Sequence, residues 1–379
     1  MRIRTITCHD VCNYGASLQA YALMTYLKDK GHDVKIIDYL PDYKPPRHSL
    51  TTFYNSGHAA TVYKYAPWAK PLMAFWQNRG ELRFQGRRKA FAEFKASRLD
   101  VTAKTYHNLR ELEQGMASDE DMAADLYIAG SDQIWNPYYG NGRDAAYYCA
   151  FVNDPSRCIS YAASFGKSDI PAEERPFMKP QLANFRAVSV REATGVKIAR
   201  SMGVDAVQVV DPVFLLGREA WERLCKEPPV DDYLLVYDFL HNDPNIDILA
   251  QSIAKKERLK IVSVNDGASL SYADRNVNNA GPEEFIGYIR HARHVIASSF
   301  HAAAFSTIFE RDFYIFPLKG HGNSSRMTDF LDMAGLGGRF MAGNAAEGRA
   351  PIDYSRVNRL LAERVEESKQ WLTAQSATR

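Results

Sequence analysis

Short β-branched runs alternate with longer stretches in which apolar residues recur every three or four positions, and this alternation organises most of the chain. Arg2 to Thr7 predicts a strand. Leu18, Ala22, Leu23, Tyr26 and Leu27 then fall on one face of a helix, which Gly31 ends before a second strand, Val34 to Asp38. That is a βαβ unit. After a less regular interval the pattern resumes with strands at Leu126 to Ala129, Arg157 to Ala162, Ala187 to Val190 and Val207 to Val210. A fresh series opens at Arg218 with a helix, a strand from Tyr233 to Tyr237, a helix from Ile246 to Lys256 and a strand from Lys260 to Val264. A helix from Pro282 to His291, a strand from Val295 to Ala297 and a helix with His301 in its first turn follow. The series ends with a strand at Phe313 to Phe316 and a turn, Gly320 to Ser325, leading into a helix. Tyr354 to Leu372 carries Val357, Leu360, Leu361, Val365 and Trp371 on one helical face, which needs a surface to cover.

Two α/β series of similar size predict two Rossmann-like domains facing across a cleft: residues 1–214, residues 215–350, and a C-terminal helix and tail over residues 351–379. The interval 41–114 reads as an insert in the first domain. In it Trp68, Phe75, Trp76, Phe84, Phe91 and Phe94 interleave with Arg83, Arg87, Arg88, Lys89 and Lys95. One reading is a pair of helices with a packed aromatic face and solvated basic residues. The other is a surface that touches anionic lipid at the inner membrane face.

The composition sets limits around this architecture. A chain of 379 residues exceeds what one core usually serves. With 46% hydrophobic and 24% charged residues it is an ordinary globular sequence. A net charge of +2 exerts no global pull on nucleic acid, and no nucleic-acid motif is present. The five cysteines are odd in number and scattered, which argues against a disulfide framework and for a reducing compartment. Cys8, His9 and Cys12 lack a second ligand cluster, so no metal site is predicted. The sequence enters a strand at once and has no apolar run of spanning length, so a cytoplasmic protein is expected.

Candidate chemistry lies just beyond the predicted strands: Asn13, Tyr14 and Gly15; Ser131, Asp132 and Gln133; Arg191 and Glu192; Ser298, Ser299 and His301. In open parallel sheets ligands bind in the crevice outside the carboxyl ends of strands, so these motifs are expected to converge on one cleft. The first turn lacks a GxGxxG fingerprint, and dinucleotide binding is not supported. Ser298 or Ser299 is suited to cap the following helix, whose amide end is an anion site. His301 beside it is a candidate acid or base, with a capping histidine in a plain α/β core as the alternative.

Together these segments resemble the polysaccharide pyruvyl transferase family. The resemblance runs through CNYGASLQAYAL, GHDVKIIDY, LYIAGSDQIWNP, CISYAASFG, VSVREATG, VVDPVFLL, IASSFHAAAFSTIF and NSSR before DFLDMAGLGGR, and it leaves out the insert. It implies a GT-B-like fold with a donor side in the second domain and an acceptor side in the first, and a C-terminal helix crossing back to the first domain. It also implies transfer of pyruvate from phosphoenolpyruvate, as a cyclic ketal, onto a lipid-linked or nucleotide-linked sugar of a surface-polysaccharide precursor, with no cofactor. By that resemblance Arg191 holds the donor's carboxylate or phosphate and His301 is the catalytic acid or base. Ser298 and Ser299 join Arg191 at the anion, with Lys319 and Arg326 ranked behind them, while Asn13, Tyr14, Gly15, Asp132 and Gln133 meet the acceptor. Ala302 stands where the family usually carries glycine. Two rivals share the fold: a glycosyltransferase using a nucleotide sugar, and a non-catalytic glycan-binding relative.

Overall fold

The β-branched runs pair as two parallel sheets in the computed structural model, which describes residues 1–43, 85–241, 243–265, 269–318, 325–341 and 349–377. The first sheet contains β1 (Arg2–Ile6), β2 (Asp33–Tyr39), β3 (Val101–Tyr106), β4 (Leu126–Ala129) and β5 (Cys158–Ser160), in the order β3-β2-β1-β4-β5. A bridge from Ile159 to Ala187 joins it to the pair β6 (Val188–Val190) and β7 (Ala206–Gln208). The second sheet holds β8 (Tyr233–Tyr237), β9 (Lys260–Val264), β10 (Arg275–Val277), β11 (His294–Ala297) and β12 (Asp312–Ile315), in the order β10-β9-β8-β11-β12. Central strands such as β4 and β8 are buried at every residue, as continuous apolar runs covered by helices on both faces should be.

Both sheets reverse their winding in the middle, the first between β1 and β4 and the second between β8 and β11. The crevice at such a switch point is where open α/β sheets bind ligands. The motifs carrying Asn13, Asp132 and Ser298 therefore follow switch-point strands. β3 and β10 are additions to the predicted set. β3 lies within the stretch read as an irregular insert, and β10 has only three residues, none fully buried, so neither an apolar run nor a period announces it.

Tyr14 anchors the joint between the halves. Its ring stacks on Phe285 at 4.2 Å and 2°, and its hydroxyl donates to the Ala280 carbonyl at 3.0 Å, both in the second half of the chain. The Arg87 guanidinium lies 4.3 Å over the same ring and donates to the same hydroxyl at 2.7 Å. The reading of the insert's basic residues as solvated holds for Lys89, which is exposed, and fails at Arg87 and Lys95. In the helix Gln85–Arg98, Arg87 is buried because Tyr14 offers it both a π-face and an oxygen, and Lys95 is half-buried between Asp10 and Asp38. Phe91 and Phe94 of this helix are buried as the packed-face reading requires, while Trp68, Phe75, Trp76, Arg83 and Phe84 lie outside the described residues. Arg98 bridges to Glu283 at 2.8 Å, a second tie across the joint.

The C-terminal helix, Tyr354–Ala377, crosses back. At its start the Tyr354 hydroxyl donates to the Arg311 carbonyl at 2.5 Å. Further on, the Val210 amide donates to Ser368 Oγ at 3.0 Å, Trp371 packs near Tyr161, and Arg186 donates to the Gln375 carbonyl at 2.7 Å. Among the described residues no helix is long and apolar enough to cross a membrane. Tyr14→Phe keeps the stacking but strands the Ala280 carbonyl and takes a partner from Arg87, so it is expected to lower unfolding free energy by about 1–3 kcal/mol in urea titrations.

Candidate active site

Ser299 caps the helix Phe300–Ile308, its hydroxyl accepting from the Ala302 amide at 3.4 Å. The amides of Phe300 and His301 are left at the open, positive end of the helix. Ser298 does something else: its hydroxyl donates to Asp238 Oδ1 at 2.7 Å and accepts from the Phe239 amide at 3.1 Å. It therefore fastens the end of β11 to the end of β8, and its oxygen is already engaged. Ala302, in the family's glycine position, is fully buried.

His301 is held edgewise against Gly15. A Cβ on Gly15 would overlap the imidazole, so the two halves of the chain approach this closely only because position 15 has no side chain. Nε2 of the ring lies 3.5 Å from Asp211 Oδ2, a distance and direction that give charge attraction but no formed hydrogen bond. The same Asp211 oxygen accepts from Arg191 Nη1 at 2.7 Å and from Ser131 Oγ at 3.3 Å. Asp211 has no exposed side-chain surface. Burial by itself would raise its carboxyl, but His301 and Arg191 outweigh burial and hold it well below the usual carboxylate range.

Arg191 is also enclosed. Its Nε donates to Glu192 Oε1 at 2.9 Å, which in turn accepts from Ser164 Oγ at 2.8 Å, and its guanidinium lies 4.4 Å over the Phe300 ring. Burial works against its charge, but Glu192, Asp211 and Asp132 more than compensate and hold it above its ordinary value. Nη2 alone is left without a partner. The sequence ranked Arg191 first for the anion; the geometry gives it mainly to carboxylates, with one N–H pair to spare.

Arg326 is paired differently. It starts the helix Ser325–Met333, which Asp329 ties to the helix Ala193–Ser201 by accepting from Thr194 N and Oγ1, each at 3.0 Å. Phe330 of the same helix packs on Phe214 and Phe300. The Arg326 side chain is buried and has no hydrogen-bond or ion-pair partner among the described residues. Burial and then the nearby Arg191 lower its pKa, with Asp132 and Glu192 opposing. Lys319, the other second-rank candidate, lies outside the described residues.

The motif after β4 forms the facing wall. Asp132 takes a left-handed backbone conformation, φ 70°, uncommon for a residue with a side chain, and is held there as its carbonyl accepts from the Ser164 and Ile134 amides. Gln133 Oε1 accepts from Asn136 Nδ2 at 2.8 Å and lies against Gly166, which has φ 67° and no room for a Cβ. Asn13 caps the helix Tyr14–Asp29 by accepting from the Ala16 amide at 3.1 Å. Tyr14, expected at the acceptor, is in the joint instead. The candidate metal ligand His9 is buried, its Nε2 2.8 Å from Asp38 and its Nδ1 3.2 Å from the Thr7 carbonyl. Asp211 and Glu192 are the site residues that received no role from sequence; the only signal was their place directly after a strand.

Asp211→Asn leaves Arg191 one acceptor short, so unfolding free energy at neutral pH should fall by about 3 kcal/mol or more. Because the native carboxyl is depressed, its stabilisation is complete above the unfolded value, about 4, and fades as pH falls through the native one. The acid limb of a urea-midpoint-versus-pH curve should thus be shallower in the variant than in wild type. Gly15→Ala should cost about 1–3 kcal/mol through overpacking, and should shift the His301 ring resonances in nitrogen-15 spectra.

The sequence model of the family described as polysaccharide pyruvyl transferase matches residues 13–319. No curated protein matches the chain. Among solved structures, the chain is similar to S. aureus MnaA in its co-structure with UDP, at 10% identity and a TM-score of 0.51, with 97% of this chain and 90% of that one covered. The UDP-N-acetylglucosamine 2-epimerase from Rickettsia bellii follows at 9% identity and 0.49, covering 97% and 88%. The Streptomyces sp. SF2575 glycosyltransferase SsfS6, complexed with thymidine diphosphate, follows at 13% and 0.44, covering 98% and 99%. At such identities the likeness to MnaA is one of fold, the GT-B-like pair of facing Rossmann-like domains. The family match takes in Gly15, Asp132, Arg191, Asp211 and His301 and spans most of the sequence, and the chain belongs to the polysaccharide pyruvyl transferase family.

Proposed function

We propose that this cleft transfers pyruvate from phosphoenolpyruvate to two hydroxyls of a saccharide as a cyclic ketal, releasing phosphate. The observation that carries this reading is the buried guanidinium of Arg326, which has no ion-pair partner among the described residues and feels the positive charge of Arg191. A buried, uncompensated cation is costly, and a small multivalent anion removes that cost. Phosphoenolpyruvate carries two such groups, a phosphate and a carboxylate, and the helix end at Phe300 and His301 adds amides of the right sign.

In this reading His301 gives a ring proton to the methylene carbon of the enol. Positive charge then develops at the adjacent carbon, which the first saccharide hydroxyl attacks, losing its proton. Asp132, whose charge acts on both guanidinium groups, is the candidate acceptor of that proton. The bond from this carbon to the phosphate oxygen breaks next, with Arg326 and Arg191 taking up the departing charge. The second hydroxyl closes the ketal and loses its own proton, so one proton ends on the new methyl group and one leaves with phosphate. Asp211 supplies the negative charge against which a positive imidazole is balanced. The acceptor is proposed to be a lipid-linked or nucleotide-linked sugar of a surface-polysaccharide precursor.

Isothermal titration of phosphoenolpyruvate into the full-length protein tests the donor assignment. Saturable binding is expected for wild type, with a loss of about tenfold to a hundredfold in Arg326→Gln, the worth of a charge-assisted hydrogen-bonded contact. Absence of wild-type binding, together with thermal stabilisation by UDP-sugars or GDP-sugars, would overturn it in favour of glycosyl transfer.

A further inference from the structure

Among the described residues the exposed large hydrophobic side chains are Tyr43, Tyr138, Tyr139, Val207 and Ile248. The three tyrosines gather around one glycine: Tyr138 and Tyr139 precede Gly140 in sequence, and a Cβ on Gly140 would meet the Tyr43 ring at 2.6 Å. Tyr43 is pinned there, its hydroxyl donating to Asp144 Oδ2 at 2.8 Å. Tyr138 and Tyr139 are 63% and 46% exposed.

Their loop is rigid. The Tyr138 amide donates to Asn136 Oδ1 at 3.0 Å, the Tyr139 amide to the Asn136 carbonyl at 3.0 Å, and the Gly142 amide to the Tyr139 carbonyl at 3.1 Å. Asn141 Nδ2 donates to the Gln133 carbonyl at 2.7 Å, and beneath the loop Trp135 stacks on Tyr148 at 5.4 Å and 7°. Exposed aromatic rings carried on a backbone tied down by these hydrogen bonds form a surface whose placement costs little further ordering on binding.

The loop also has a definite address. It continues from β4 through Asp132 and Gln133 at the switch point of the first sheet. Lys167 Nζ lies 4.5 Å over the Tyr138 ring, which fixes the ring from one side. The loop therefore leaves the first sheet at the edge where the candidate site lies. A pyranose has one face of axial C–H groups and a rim of hydroxyls, and it is recognised by an aromatic face with amide and hydroxyl groups beside it, here those of Gln133 and the tyrosines themselves.

We infer that Tyr138 and Tyr139 form a stacking platform for a pyranose ring of the saccharide acceptor, presenting its hydroxyls toward the anion pocket. As an acceptor subsite it rests on the pyruvyl-transfer reading above; as a sugar-binding platform it stands on the loop alone. Saturation-transfer-difference NMR on the full-length protein, with methyl β-D-galactopyranoside, methyl β-D-glucopyranoside and methyl α-D-mannopyranoside as probes, tests it. Transfer to the axial ring protons of at least one glycoside is expected. It should drop about fivefold to tenfold in Tyr138→Ala or Tyr139→Ala and be retained in Tyr139→Phe, which keeps the face and removes only the hydroxyl. Thermal unfolding and phosphoenolpyruvate titration of the same variants should match wild type. No transfer with any of the three glycosides, or transfer that both alanine variants preserve, overturns the platform. Failure of phosphoenolpyruvate to bind wild type, with glycoside transfer intact and tyrosine-dependent, would count against the donor reading and leave the platform standing.

Discussion

Asp211 is a carboxylate with no access to water, and a charge in that position persists only if its surroundings neutralise it. Arg191, Ser131 and His301 do so from three different parts of the chain: the end of β6, the end of β4, and the first turn of the helix after β11. One buried charge thus draws together the carboxyl ends of strands from both sheets. Arg191 is fixed in turn by Glu192, Glu192 by Ser164, and the Phe300 ring covers the guanidinium. The network spends almost all of its hydrogen-bonding capacity on itself. What remains is directional: a few nitrogens, on Arg191, His301 and Arg326, with no hydrogen-bond partner among the described residues.

That remainder matters because the domains are held close. Tyr14 stacked on Phe285, the Arg87 guanidinium over Tyr14, and the Arg98–Glu283 pair close the joint on one side of the cleft. The C-terminal helix, reaching from Arg311 to Arg186, straps the two halves together. Gly15 lets His301 sit against the first helix without a Cβ between them. An imidazole from the second half is in this way completed by a glycine and a carboxylate from the first, and the site exists only at the interface.

Much of this was readable from the residues. The strand-end positions of Asp132, Arg191 and His301 followed from periodicity alone, because a parallel sheet sends every strand's carboxyl end to the same edge. Ser299 was readable as a cap because its chemistry and its place before an apolar helical run are local. Asp211 was not readable as the keystone: an Asp-Pro after a strand is ordinary turn sequence, and nothing local says that Arg191, twenty positions earlier, will point its guanidinium at it. The intramolecular roles of Ser298 and Tyr14 were not readable for the same reason, since a serine that ties two strands and a tyrosine that fills a joint have the same sequence signature as ligand-binding residues. Arg326 was ranked low because its lack of a partner is a property of the packed state.

The sequence by itself determined the elements, the two α/β series, the family and the edge on which the chemistry gathers. These depend on backbone geometry and on apolar periodicity, both of which act over a few residues. Only the tertiary structure decided which polar groups neutralise one another and which are left over. Pairing in a buried site depends on distances of a few ångströms between residues far apart in the chain, and a difference of that size separates the committed guanidinium of Arg191 from that of Arg326, which has no partner among the described residues.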